Sequence, residues 1–284
     1  MIFNNTLKTA LITGSTKGVG KEIAKMFLKN NYNVIITGRN INNALTVADE
    51  LNSNNLTEAK ARGYNLDFTN LHKSFNLLNS LENKSIKPSF LINNAGALNI
   101  RNINDISVKS IDIITKTNMI GPMILSKYCI DIIKDKKEYG GILFNTPPYK
   151  IDDKTTYLLP YMQTKLAQTT LMKSLSNSNL NNNAIVCGFW TNYPLSTDAI
   201  ISRNIGKIEN CMSPTILSKL LEELIFNTKN NTYYNSKVII DKDFLESKNI
   251  CLKQFEMGND VKDLDTLFMY HLKNKYSKKK DLYL

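Results

Sequence analysis

Short apolar runs ending in glycine or asparagine alternate with amphipathic stretches along most of the chain, and this rhythm restricts the fold more than any other feature. Residues 8–14 (KTALITG) form the first run, as expected of a strand buried on both faces of a parallel sheet. Val19, Ile23, Met26 and Phe27 then recur at helical spacing. Further strands are predicted at 32–38, 59–67, 88–96, 140–146, 183–189 and 237–241. Helices are predicted over 43–51, 71–81, 108–137, 161–175 and 214–226, with a break at Gly121-Pro122. Repeated βα units of this kind predict an α/β fold: a Rossmann-like, doubly wound parallel sheet with helices on both faces. The 284 residues read as a single domain, with a core at about 7–245 and a C-terminal extension at 246–284.

Composition narrows the class. A hydrophobic fraction of 42% supports a sizeable core. No apolar run approaches the roughly 20 residues that cross a bilayer, so no membrane span is expected. The opening residues lack the basic start and cleavage site of a signal peptide, and the last four, DLYL, are not an SKL-type address. Cys129, Cys187, Cys211 and Cys251 are far apart and form no C-x-x-C pair, as expected of reduced packing cysteines in a cytoplasmic protein. His72 and His271 are isolated, and no metal site is predicted. The net charge of +11 raises the question of nucleic acid, but the lysines are dispersed. Their one dense run, Lys278 to Lys280, reads as a solvated tail, so nucleic acid is not expected as a partner.

The first strand ends in Thr13, Gly14, Ser15, Thr16, Lys17, Gly18, Val19 and Gly20. Small residues here let backbone N–H groups approach a pyrophosphate, toward which the following helix points its positive end. The spacing is G-x-x-x-G-x-G, so the loop alone is a moderate signal for a dinucleotide. The second strand runs into Arg39 and Asn40 without an acid. An Asp or Glu there would accept from a ribose 2′-hydroxyl, whereas Arg39, aided by Lys17, would grip a 2′-phosphate. NADP(H) is therefore the expected cofactor, with NAD(H) the alternative.

Tyr161 and Lys165 are four residues apart on a predicted helix and share one face. A free phenol titrates near ~10. A cation about 4 Å away at an effective dielectric of ~20 contributes roughly 4 kcal/mol, enough to bring a phenol toward neutral pH for general acid–base work. Alone, this spacing is common on surface helices.

Taken together, TGSTKGVG from Thr13, Asp67 after the third strand, NNAG at Asn93 to Gly96, Asn118, and the Tyr161/Lys165 pair occur in one order over most of the chain. This set resembles the short-chain dehydrogenase/reductase family. The resemblance implies that residues 14–20 hold the pyrophosphate, Asp67 meets the adenine, and Asn94, Ala95 and Gly96 pack on the adenosine side. It further implies that Lys165 binds the nicotinamide ribose and lowers the phenol pKa, that Asn118 holds a relay water, and that Tyr161 exchanges a proton with the substrate oxygen during hydride transfer.

One departure stands out. The family's serine lies about thirteen residues before the tyrosine, where this chain has Pro148; Thr146 is close but offset. The Thr146-Pro147-Pro148 run, Trp190 after the sixth strand and the segment 237–255 resemble the second-type hydroxysteroid dehydrogenase-like branch. A sterol-carrier domain found in that branch does not fit in this length. Residues 190–212 are expected to form a substrate lid suited to a hydrophobic carbonyl or alcohol, with core packing the competing role for Trp190. The family pairs subunits through the helices at 118–137 and 161–175, so a homodimer or homotetramer is expected. A cofactor-binding sensor or scaffold with little catalysis is the alternative function, motivated by Pro147 and Pro148.

Overall fold

The computed structural model describes residue 3 and residues 6–101, 103–135, 139–150, 159–178, 184–202 and 207–264. Seven strands form one sheet: β1 (Thr9–Ile12), β2 (Asn33–Gly38), β3 (Ala61–Asn65), β4 (Phe90–Asn93), β5 (Gly140–Asn145), β6 (Ala184–Trp190) and β7 (Val238–Ile240). Their order is β3-β2-β1-β4-β5-β6-β7, and every pairing is parallel. The helices are α1 (Gly18–Lys29), α2 (Ile41–Ser53), α3 (Leu71–Asn83), α4 (Val108–Thr115), α5 (Gly121–Asp135), α6 (Leu159–Ser176), α7 (Asp198–Ile201), α8 (Thr215–Phe226) and α9 (Asp241–Ser247).

Strand alternation feeds two cores. Ile12, Ile36, Leu143 and Phe189 point to one face, where they meet Ile23 and Phe27 of α1, Leu51 of α2 and Leu220 and Leu224 of α8. Leu11, Ile35, Leu91, Ile142 and Phe144 point to the other, against Leu81 of α3, Leu125 and Cys129 of α5 and Met172 of α6. Burial on both faces is why the strands read as continuous apolar runs. The expected Rossmann-like, doubly wound sheet is therefore present. Phe255, in the expected extension, also packs into the first core.

Chain direction reverses its progress across the sheet between β1 and β4, which opens a crevice beyond their C-terminal ends. The expected break at Gly121-Pro122 is absent. Instead a π-turn, Lys116–Ile120, joins α4 to α5, with the Gly121 N–H bonded back to the Lys116 carbonyl. Pro122 has no N–H to continue the ordinary ladder, so the irregularity falls one turn earlier than the sequence suggests. This detour puts Asn118 in a fully buried position. The tail lysines Lys278 to Lys280, His271, residues 136–137 of the predicted long helix, Asn183 and residues 203–206 of the expected lid lie outside the described residues.

Candidate active site

The turn after β1 is shaped by its glycines. Gly14 has φ +63°, and a Cβ there would lie 3.0 Å from the Ala95 Cα. At Gly20 a Cβ would sit 2.4 Å from the Gly14 carbonyl oxygen and 2.6 Å from Asn94 Nδ2. Replacing Gly20 with Ala is therefore expected to open the turn. The predicted loss is about 1–3 kcal/mol of stability in urea unfolding, with weakened NADPH binding in a titration. The start of α1 has neither a side-chain cap nor an acid in its first turn. Its N–H groups and dipole suit an anion, so the cradle fits a dinucleotide pyrophosphate.

Side chains in this loop divide the work. The Ser15 hydroxyl donates to the Ile12 carbonyl (2.8 Å) and accepts from the Thr37 N–H (2.9 Å), tying the turn to β2. Val19 packs into the core, leaving its backbone on the loop. Thr16 is half-buried beside Gly38. Gly18 lies under Thr197, the residue before α7. Lys17 is ion-paired with Asp198 of α7, and both side chains are exposed; this lysine holds the Asp198 carboxyl below the usual carboxylate range. Arg39 follows β2 with an exposed side chain that makes no ion pair among the described residues.

Asp67 is half-buried after β3, where one carboxylate oxygen accepts from the Thr69 N–H (3.0 Å) and hydroxyl (2.7 Å). Thr13 and Asn94 clasp the ends of β1 and β4. The Thr13 hydroxyl accepts from the N–H groups of Asn94 and Ala95, both at 2.9 Å. Asn94 Nδ2 donates to the carbonyls of Thr13 (3.0 Å) and Gly14 (3.3 Å), and its Oδ1 accepts from Asn145 Nδ2 (3.2 Å). Gly96 lies beside Asn118, whose Oδ1 would be 3.7 Å from a Cβ there.

Helix α6 forms the opposite wall. Tyr161 is half-buried, and one turn later Lys165 is 3% exposed. The Lys165 ammonium donates to the Asn145 carbonyl and to Gln168 Oε1 (3.0 Å), and lies 5.6 Å from the centre of the Trp190 ring. Burial pushes its pKa down to about 7. Asn118 accepts from the Ala97 N–H (2.8 Å) and donates to the Ala97 carbonyl (3.0 Å) and the Thr164 hydroxyl (3.0 Å). Thr164 in turn donates to the Tyr161 carbonyl (2.7 Å).

Hydrogen bonds thus link Lys165 to the Asn145 carbonyl, the Asn145 side-chain amide to Asn94, and Asn94 to Gly14, with Asn145 itself bridging the first two. They join the predicted proton-handling residue to the predicted cofactor loop. Thr164, Asn145 and Gln168 were not singled out in the sequence. Thr164 and Gln168 share the face of Tyr161 and Lys165 at three- and four-residue spacing, which is a usable signal. Asn145 carried no such mark.

The loop after β5 sharpens the question of the missing serine. Thr146 is fully buried, and its hydroxyl donates to the Lys165 carbonyl and shares a bond with the Thr169 hydroxyl, both at 2.8 Å. It fastens the loop to α6, while Pro148 is exposed. Trp190 closes β6 half-buried over Lys165 and belongs to neither main core. At the base of the expected lid, buried Asp241 accepts from the N–H groups of Asn192 (2.8 Å) and Lys242 (2.7 Å). Burial raises its pKa to about 6, against those two bonds. Among the described residues no cluster of metal-ligating side chains occurs, and no helix is long and apolar enough to cross a membrane.

A sequence profile of the short chain dehydrogenase family matches residues 8–200, from β1 through the start of the expected lid. This chain belongs to that family. Members of the short-chain dehydrogenase family are NAD(P)-dependent oxidoreductases acting on small molecules. The short chain dehydrogenase/reductase dpfgG of Gibberella zeae is 30% identical over 139 residues, covering 49% of this chain and 50% of that protein. Hydroxysteroid dehydrogenase-like protein 2 of Mus musculus is a more distant relative, 28% identical over 155 residues, or 51% of this chain and 30% of the relative. The chain thus spans half or less of these two relatives. A short chain dehydrogenase from Mycobacterium thermoresistibile superposes with a TM-score of 0.78 at 19% identity, covering 90% of this chain and 93% of the other.

Proposed function

We propose that this short-chain dehydrogenase is an NADP(H)-dependent oxidoreductase for a hydrophobic carbonyl or alcohol, with Tyr161 as general acid–base. The observation that carries the reading is the series of hydrogen bonds joining Lys165, by way of Asn145 and Asn94, to the glycine cradle. When bound, the nicotinamide supplies or accepts the hydride. Gly14 to Gly20 would hold the pyrophosphate against the start of α1, Asp67 the adenine edge, and Asn94 to Gly96 the adenosine side. Lys165 would hold the ribose and keep the phenol acidic. The Tyr161 hydroxyl would give a proton to the substrate oxygen in reduction and take it back in oxidation. Asn118, tied to α6 through Thr164, would hold the water that refills that proton. Activity is tested with a panel of ketones, aldehydes and hydroxysteroids plus NADPH; no turnover on any of them counts against the reading.

The choice of NADP(H) over NAD(H) rests on Arg39, since Lys17 is engaged by Asp198. A charge-assisted contact to a 2′-phosphate is worth about 1.5–3 kcal/mol. Arg39→Ala is accordingly expected to raise the NADPH dissociation constant about 10–100-fold and leave that of NADH within about twofold. Equal losses for both cofactors would remove the preference.

A second reading, a cofactor-binding sensor with weak catalysis, is favoured by one observation: the Thr146 hydroxyl is turned into α6, and Pro148 holds the serine position. Tight NADPH binding without turnover would support it. Exposed Val108, Ile111 and Met123 on α4 and α5 support twofold pairing as a homodimer or homotetramer, to be read by light scattering. Four cysteines that form no disulfide suit a reducing compartment such as the cytoplasm.

A further inference from the structure

The amide of Gln168 is 1% exposed and lies one turn beyond Lys165 on α6. Its Oε1 accepts from the Lys165 ammonium at 3.0 Å, while its Nε2 is buried without a hydrogen-bond partner among the described residues. A buried, half-used amide is uncommon, because an unmade bond there has no water to replace it. The other oxygen holding Lys165 is the Asn145 carbonyl, which only accepts. Against the ammonium both groups act as acceptors, and the Trp190 ring lies 5.6 Å from it. A neutral amine differs: it still donates to Asn145 but also presents a lone pair that needs a donor.

We propose that Gln168 is a positioning residue that holds the Lys165 nitrogen in both protonation states. Oε1 accepts from the ammonium; after rotation of the terminal amide, Nε2 donates to the amine. The amide gains and loses no proton in this exchange, and the lysine proton leaves to solvent and returns from it. The unpartnered Nε2 is the donor held in reserve. Methionine at this position would serve neither state, and glutamate would serve the ammonium alone. Burial of Lys165 brings its titration to about 7, so both states are populated near neutral pH. The link to catalysis rests on the role given to Lys165 above; the positioning itself does not.

The test uses the full-length, cofactor-free chain labelled with lysine carrying carbon-13 at Cε. The Lys165 signal is identified by its loss in Lys165→Arg. Titration midpoints are compared for the wild type, Gln168→Met and Gln168→Glu. The wild-type midpoint is expected near 7, lowered about tenfold in proton affinity by Met and raised at least tenfold by Glu. A residue that merely packs would leave the Met midpoint unmoved, and that result overturns the proposal. If the Met variant does not fold, Gln168→Leu is titrated in its place under the same criterion. NADPH affinity is then measured against pH in each folded protein. Midpoints that shift while NADPH affinity ignores them uphold the positioning role and remove Lys165 from the cofactor site.

Discussion

Replacing Tyr161 with Phe is expected to lower NADPH-dependent turnover about 10²–10⁴-fold while leaving NADPH affinity within about twofold. The substitution deletes one oxygen and nothing else. Tyr161 is half-buried on α6, so the ring keeps its packing and only the proton donor is lost. A positioned acid–base is worth about 10²–10⁴ in rate, which sets the size of the effect. The same helix carries Lys165 and, through Thr164, the tie to Asn118, and neither contact uses the phenol oxygen. Cofactor fluorescence and steady-state turnover on the same preparation separate the two quantities. Turnover retained within tenfold would show that the proton comes from elsewhere.

Lys165→Met should show its effect first in the pH dependence of stability. Burial lowers the folded-state pKa of Lys165 from 10.5 to about 7. Between those values the unfolded chain holds a proton that the folded chain has released, so the unfolded state binds more protons. The contribution of Lys165 therefore destabilises the fold at pH 7 and is relieved as pH rises toward 10.5. The group is 3% exposed, so solvent screening discounts this little. The stability of the variant minus that of the wild type is expected to fall by about 3 kcal/mol between pH 7 and 10. Taking the difference cancels the other lysines and tyrosines, which titrate in both proteins. Urea unfolding at several pH values measures it, and a flat difference would mean that the ammonium is solvated. Turnover in this variant is expected to drop at least about 10²-fold, since the phenol loses its nearest predicted cation.

The β-strands and most helices were legible because burial on both faces writes a plain apolar run for each strand and a 3.6-residue stripe for each helix. The four-residue helix α7 and the seven-residue α9 were not, since neither is long enough to show a period. The expected break at Gly121-Pro122 was misplaced by a turn. Proline marks where a hydrogen bond is lost, but the neighbouring backbone decides where the slack is taken up, here at Lys116–Ile120. Lys17 had the right charge for a phosphate, yet it lies against Asp198, an acid 181 residues away that no local pattern connects to it.

From its sequence alone this chain determined the α/β class, the glycine loop after the first strand, and a phenol and an amine on one helical face. Each is a local property: a period, a small residue at a turn, a spacing of four. Tertiary structure decided what those groups face. It buried Lys165 between Asn145 and Gln168, turned Asn118 inward through a π-turn, and directed Thr146 into α6. Apart from the local Lys165–Gln168 bond and the π-turn itself, those outcomes depend on hydrogen bonds between segments about twenty residues apart. Only the parallel stacking of the strands, which brings their C-terminal ends to one edge, makes such bonds available.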